Sequence, residues 1–193
     1  DIKRAKEIAE YLKVKWHYTP FQSKKIKKML HDPRCEQYFK FASGLSAVPM
    51  VSDLFSLIML KNEKKLPNDA ILINGQTGDY LTGGHIPRTI DNQNSIDAYW
   101  LSPKLIDKHY SPWTNLKTEK NIEKISGIIF DVLGVLPADK LTFQEFAQLH
   151  EWYEWQERQA KYVVNGQRMY DWLKLDWRLP LWSDELMMFW KNI

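Results

Sequence analysis

The sequence predicts an α/β fold that is predominantly helical. It reads as part of a parallel-sheet nucleotide-binding region over residues 1–90, followed by a helical C-terminal region of the same domain over residues 91–193. Three observations predict it. Helical and strand patterns alternate through the first half. A short apolar run, Ala70-Ile71-Leu72-Ile73, opens directly into a glycine-rich turn. Beyond residue 91 apolar positions recur at helical spacing, and a length of 193 residues suits one domain.

Residues 1–13 place Ile2, Ala5, Ile8, Ala9 and Leu12 on one helical face, with Arg4, Lys6, Glu7 and Glu10 off it. No capping residue precedes this helix, which predicts that the chain opens partway through a larger unit. "VKWHYTPF" alternates and reads as a strand ending at Pro20. The next helix carries Lys24, Lys25, Lys27 and Lys28 on one side, which reads as a solvated face. "SGLSAVPMVSDLFSLIML" predicts a buried helix with Pro49 in its first turn, where a missing N–H is tolerated. "PNDAILIN" predicts a second strand, buried on both faces because its apolar run is unbroken.

In the second half, "DNQNSIDAYWLSPKLIDKHYSPW" is weakly patterned, and "TEKNIEKISGIIFDVLG" predicts a helix ending at Gly134. Thr142 with Glu145 three residues on predicts a capping box at the head of a long helical tract, which Gly166 interrupts. The end of the chain breaks at Pro180 and restarts as a short helix capped by Ser183.

Charge and cysteine usage narrow the function classes. A formal net charge of +3 does not call for nucleic acid, and no apolar run is long enough for membrane insertion. A single cysteine, Cys35, excludes an intramolecular disulfide and a multi-cysteine zinc site; with no leader pattern it predicts a cytoplasmic protein. Most of the nine tryptophans fall in the last hundred residues, which predicts aromatic core or a subunit interface, and a second copy of the chain as a candidate partner.

The chemistry concentrates in "AILINGQTGDYLTGGHIPR", where four of the chain's eight glycines fall within ten positions. A strand ending in such a loop brings bare backbone to the carboxyl edge of a sheet, where open α/β folds bind ligands. Gly75 would admit a nucleotide close to the main chain, and Asp79 is placed to hold a magnesium ion bridging its phosphates. Alternatively, the glycines serve two tight turns and Asp79 caps a helix beginning at Tyr80. Composition does not choose between the two. The order of residues is neither a Walker A loop nor a dinucleotide fingerprint. His85 closes the turn as a candidate contact to phosphate or substrate, or as a surface histidine. His17, His31, His109 and His150 show no ligand spacing, and Arg178 either pins a loop beside the site or makes a structural ion pair.

These residues resemble the synthetase domain of the asparagine synthase family, within the PP-loop ATP pyrophosphatases. Against that family's Ser-Gly-Glu-Gly-Ala-Asp-Glu-Leu-Phe-Gly-Gly-Tyr, the chain matches at Gly75, Asp79, Leu81, Gly83 and Gly84. "LSAVPMVSDLFSL" is similar to the Ala-Ser-Thr-Pro-Met helix upstream, "WRLPLWSDELMMFW" to the Arg-x-Pro-Phe-Leu-Asp-x-x-Leu signature downstream, and "RAKEIAEYLKVKWHYTPF" to the helix and strand after the PP-loop. The resemblance covers roughly residues 1–90 and 142–190.

It implies an adenine nucleotide alpha hydrolase-like domain that uses ATP and Mg2+ to activate a carboxylate as an acyl-adenylate, which an amine or ammonia then attacks with release of AMP. Asn74, Gly75 and Gly78 would bind the nucleotide, Asp79 the magnesium, and Gln76 and His85 would face the reaction. The forms "NGQ-x-GD…GGH-P" and "RLPLW" resemble the branch found in bacterial surface-polysaccharide pathways, which implies a sugar-acid or other carboxylate substrate and an ammonia-supplying subunit as partner. Two departures stand out. Gln76 replaces a glutamate, so a carboxylate able to act on the attacking amine is missing. Ser183 replaces the signature's aspartate, although Asp184 is adjacent. The family's Ser-Gly-Gly-x-Asp-Ser loop does not occur in residues 1–193 and is expected upstream of Asp1. Two other readings remain: a non-catalytic nucleotide-binding or subunit-interaction module of the same fold, and an unrelated helical interaction protein.

Overall fold

A computed structural model describes residues 2–20, 22–87 and 95–191. It is mostly helical, with strands of two or three residues. The chain forms two compact units interleaved in sequence: Asp1–Leu72 with Gly166–Trp177, and Ile73–Asn165 with Arg178–Ile193.

The first unit holds α1 (Ile2–Tyr11), α2 (Ser23–Leu30), α3 (Pro33–Ala42) and α4 (Ser52–Asn62). Its lysine-bearing α2 buries no residue, so Lys24, Lys25, Lys27 and Lys28 form the solvated face the sequence predicts. Asp32 caps α3 by accepting the Arg34 N–H at 2.9 Å, with Pro33 at the first helical position. The core gathers Tyr38, Leu54, Phe55, Met169 and Tyr170.

Three expectations fail here. Residues 14–20 form no strand; Val14, Trp16 and Tyr18 are exposed, so alternation meets no partner that would turn it into pairing. Phe21 lies outside the described residues. Pro49 precedes α4 instead of entering it. Gly44 and Leu45 turn left-handed, and the Tyr38 hydroxyl donates to the Met50 carbonyl at 2.6 Å, so the backbone there is bound by a side chain before the helix begins. Finally β1 (Ile71–Ile73) is not buried on both faces: Ile71 is 53% and Ile73 66% exposed. It pairs with β4 (Asp176–Arg178) in a two-stranded parallel sheet, too small to cover its own faces.

The second unit follows β1 with a single helical turn, α5 (Gly78–Leu81), then β2 (Ile96–Asp97), α6 (Leu101–His109), α7 (Glu119–Leu133), β3 (Lys140–Leu141) and α8 (Phe143–Glu154). β2 and β3 pair antiparallel, Ile96 opposite Leu141. Ile96, Leu101, Leu105, Ile129 and Phe146 form the core. Residues 91–94, where the sequence begins its helical half, lie outside the described residues. The local stops and starts are as expected. Gly134, at φ +68°, ends α7, and the Thr142–Glu145 capping box opens α8 with both reciprocal bonds made.

The tract beyond α8 is not α-helical. Trp155–Val164 winds as a π-helix, a rare form in which each N–H reaches one residue further back. Helical winding runs on through Asn165 and Gly166, so the interruption expected at Gly166 falls one residue later, at Gln167, before α9 (Arg168–Trp172); a Cβ at Gly166 would meet the Met50 methyl at 3.1 Å. A 3-10 turn over Pro180–Trp182 leads to α10 (Asp184–Lys191), where the Leu186 N–H points to the Ser183 hydroxyl at 3.4 Å. No helix among the described residues is long and apolar enough to cross a membrane.

Because the capping box satisfies two otherwise orphaned donors of α8, Thr142→Ala should destabilise the protein by about 1 kcal/mol. Urea unfolding followed by circular dichroism measures it, and Thr142→Ser should restore most of the loss.

Candidate functional site

The glycine-rich turn lies wholly within the second unit. Asn74 leaves β1 with its N–H bonded to the Arg178 carbonyl at 3.1 Å, so Arg178 meets the loop through its main chain. The Asn74 side-chain oxygen accepts the Gln76 N–H at 3.0 Å, an Asx turn that redirects the backbone. Thr77 then takes φ +86°, a conformation that strains a β-branched residue, and is 2% exposed. Its hydroxyl accepts from the Trp182 indole at 2.8 Å and donates to the Gln159 side-chain oxygen at 3.1 Å.

The four glycines divide by cause. Gly83 has φ +70°, and a Cβ on Gly84 would lie 2.8 Å from the Asp79 carbonyl oxygen, so both are explained by the turn itself. Gly78 is snug against Leu181. Gly75 has neither reason: its φ is ordinary and nothing lies within 4 Å of where a Cβ would stand. Neither backbone conformation nor a close neighbour therefore explains Gly75, and the space beside it is open.

The short helix begins at Gly78 with Thr77 at its N-cap and no side-chain capping bond, so Asp79 lies inside its first turn and does not cap a helix starting at Tyr80; its carboxylate accepts the Tyr80 N–H at 3.0 Å. Its other oxygen lies 2.8 Å from His85 Nε2. The Arg158 guanidinium is 3.3 Å from the same nitrogen. Nε2 cannot donate to Asp79 and accept from Arg158 at once; the shorter contact makes it the donor, with Arg158 adding positive charge alongside. Burial raises the Asp79 carboxyl, but the His85 bond and charge, the Tyr80 N–H and Arg158 outweigh it and hold the carboxyl below its ordinary range.

His85 Nδ1 sits 3.0 Å from Glu154 Oε2, without hydrogen-bond alignment. Glu154, the last residue of α8, has no solvent exposure. Lys108 Nζ lies 3.0 Å from one of its oxygens and His109 Nε2 2.7 Å from the other, both from the last turn of α6. Burial pushes the Glu154 carboxyl up, yet His109 and Lys108 draw it down to about 2. Tyr80 packs 6.1 Å from the His85 ring and donates its hydroxyl to the Glu151 carbonyl at 3.3 Å; burial raises that phenol to about 12. Carboxylates and imidazoles thus alternate along Asp79, His85, Glu154 and His109, flanked by Lys108 and Arg158.

Of the predicted residues, Asn74, Gly75, Gln76 and Gly78 share the turn, and Asp79 and His85 are in contact. His17 and His31 fall in the first unit. Sequence reading missed Glu154, Lys108, Arg158, Thr77, Gln159 and Trp182, and gave His109 no chemistry. No sequence signal marked them: the full burial of Glu154 and Gln159 is visible only in the fold.

Among the described residues no cluster of three or more His, Cys, Asp or Glu has the geometry to hold a metal. Asp79, with its side chain 60% exposed, is a carboxylate of the turn that a cation could reach from solvent, although the Tyr80 N–H and His85 already engage its two oxygens. No known protein family, characterised protein or solved structure matches the chain.

Acid should destabilise the protein in two stages. His150, buried on α8 and stacked on Phe146, has its pKa lowered by burial from 6.5 to about 4. Between those values the unfolded chain takes up a proton that the folded chain refuses, so stability falls as pH falls. Glu154 repeats this from 4.5 down to about 2. The His150 stage is worth on the order of 3 kcal/mol at ~1.4 kcal/mol per unit. Urea unfolding across this range should show His150→Gln flattening the upper stage and leaving the lower one.

Proposed function

We propose that the chain is part of an asparagine synthase-like synthetase domain of the PP-loop type. In this reading it is an ATP-dependent, AMP-forming amide ligase or amidotransferase acting on a carboxylate or sugar-acid substrate in bacterial surface-polysaccharide synthesis. It would be cytoplasmic and supplied with ammonia by a partner subunit. The supporting observation is that two motif-like stretches a hundred residues apart meet. "NGQTGD" and "RLPLW" touch through the Trp182–Thr77 bond, the Asn74–Arg178 main-chain bond and the Leu181–Gly78 contact.

Thr77 stands where the motif has glycine, and its left-handed backbone is the one glycine adopts without strain. The space over Gly75 suits the AMP portion of the nucleotide, with Asn74 and Gly78 beside it. Asp79 would hold magnesium against the phosphates. The ion's contribution would be to draw negative charge off the departing pyrophosphate. His85, fixed between two carboxylates, orients Asp79, and Arg158 beside it would add a cation for phosphate oxygens.

One observation favours a second reading, a non-catalytic nucleotide-binding module: Gln76 offers an amide where acid–base chemistry would need a carboxylate.

Calorimetric titration of ATP and AMP into the protein as the cell makes it, with and without magnesium, tests both. Asp79→Asn should reduce magnesium-dependent ATP affinity at least about tenfold, as loss of a charged ligand to a hard cation does. Gly75→Ala should leave the urea midpoint unchanged while weakening AMP. Binding without turnover selects the second reading; no affinity for either nucleotide rejects both.

A further inference from the structure

Away from this turn, the second unit holds a cavity of about 340 Å3 between α6, the turn Thr114–Leu116 and the first half of α7. Its floor is Ile106, 3% exposed, with Tyr110 and Ile125 packed on the same core. Trp113, Leu116 and Ile122 line it further and stay 47%, 54% and 38% exposed. These apolar faces are fastened open. The Asn121 amide donates to the Leu116 carbonyl at 2.7 Å, tying the turn to α7, and Lys117 pairs with Asp107 at 3.0 Å, tying it to α6. The Leu116 N–H bonds to the Trp113 carbonyl at 2.9 Å and closes the turn on itself.

Two lysines stand among the lining residues. Lys117 is neutralised by Asp107, whereas Lys124 has no carboxylate in ion-pair range among the described residues. The cavity is therefore apolar, preformed and supplied with one uncompensated cation.

We propose that it binds a small amphiphilic monoanion, the apolar body against Trp113, Leu116 and Ile122 and the anionic head at Lys124. The volume falls in the range of small-molecule sites, about 300–1,000 Å3, and a concavity of that size receives a compact ligand better than the flat face of a protein partner. One cation selects one negative charge, and burying the exposed aromatic and aliphatic walls supplies the affinity. This site does not depend on the nucleotide reading.

The test is a titration of the full chain with octanoate, and separately with octanol, followed by amide and indole NMR. Octanoate should bind saturably one-to-one and shift the Trp113 indole. Lys124→Met should weaken octanoate about tenfold, the loss of one charge-assisted contact, and leave octanol unchanged. Ile122→Asp should weaken both ligands. The wild-type thermal midpoint serves as the folding control for each variant. No saturable binding of octanoate, equal affinity in Lys124→Met, or shifts confined to residues outside the cavity would each overturn the proposal.

Discussion

A carboxylate with no access to water is tolerated only when its charge is met from several sides, because the desolvation penalty is several kcal/mol even after the protein relaxes. Glu154 is in that position, and its partners come from two other parts of the second unit: Lys108 and His109 from the end of α6, and His85 from the glycine-rich turn. The C-terminal end of α6 carries partial negative charge, which favours the two basic residues there independently of Glu154. A single buried charge thus ties the end of α8 to the end of α6 and to the turn, beside the apolar packing of Leu101 and Leu105 on Phe146. Displacing any one partner leaves that charge unbalanced, so the cluster behaves as a unit. What it finally orients is an exposed group, since the second nitrogen of His85 fixes the Asp79 carboxylate that faces solvent.

The other end of the turn is held by a different device. Thr77 keeps a backbone conformation that costs a non-glycine residue on the order of 1–3 kcal/mol, and only its surroundings can impose it. The Trp182 indole and the Gln159 amide do so through the threonine hydroxyl, in a pocket closed to water. Glycine would relax the backbone and lose both bonds. Threonine accepts strain and gains anchorage.

How much of this was legible follows from the range of the forces concerned. Caps and stops were readable because they act within four residues: Thr142 with Glu145, Gly134 after α7, Ser183 before α10. The turn was readable as unusual because glycines mark it, and Asp79 and His85 emerged as candidates from position alone. Strands were misread where the pattern was right but the partner was missing. Alternation at residues 14–20 found nothing to pair with, and the apolar run of β1 found no layers to cover it. Glu154 was invisible for a different reason. Its environment is assembled from residues 45 and 69 positions away, and a glutamate in a helical tract reads as surface until those neighbours are known.

The π-helical segment joins the two anchors. In an α-helix, residues five apart point about 140° away from each other, at 100° per residue, so Glu154 and Gln159 could not both face the same turn. Winding the chain with one more residue per hydrogen-bonded ring brings positions five apart onto one face. Here it sends Glu154 to His85 and Gln159 to Thr77, while Arg158 reaches His85 from between them. Thr77 and His85 bracket Asp79 in sequence, so both sides of the candidate ligand are gripped from a single stretch of helix. A segment that regained α-helical winding would have to release one grip or the other. The unusual helix and the unusual threonine are therefore two halves of one constraint, and the carboxylate between them keeps its position only while both hold.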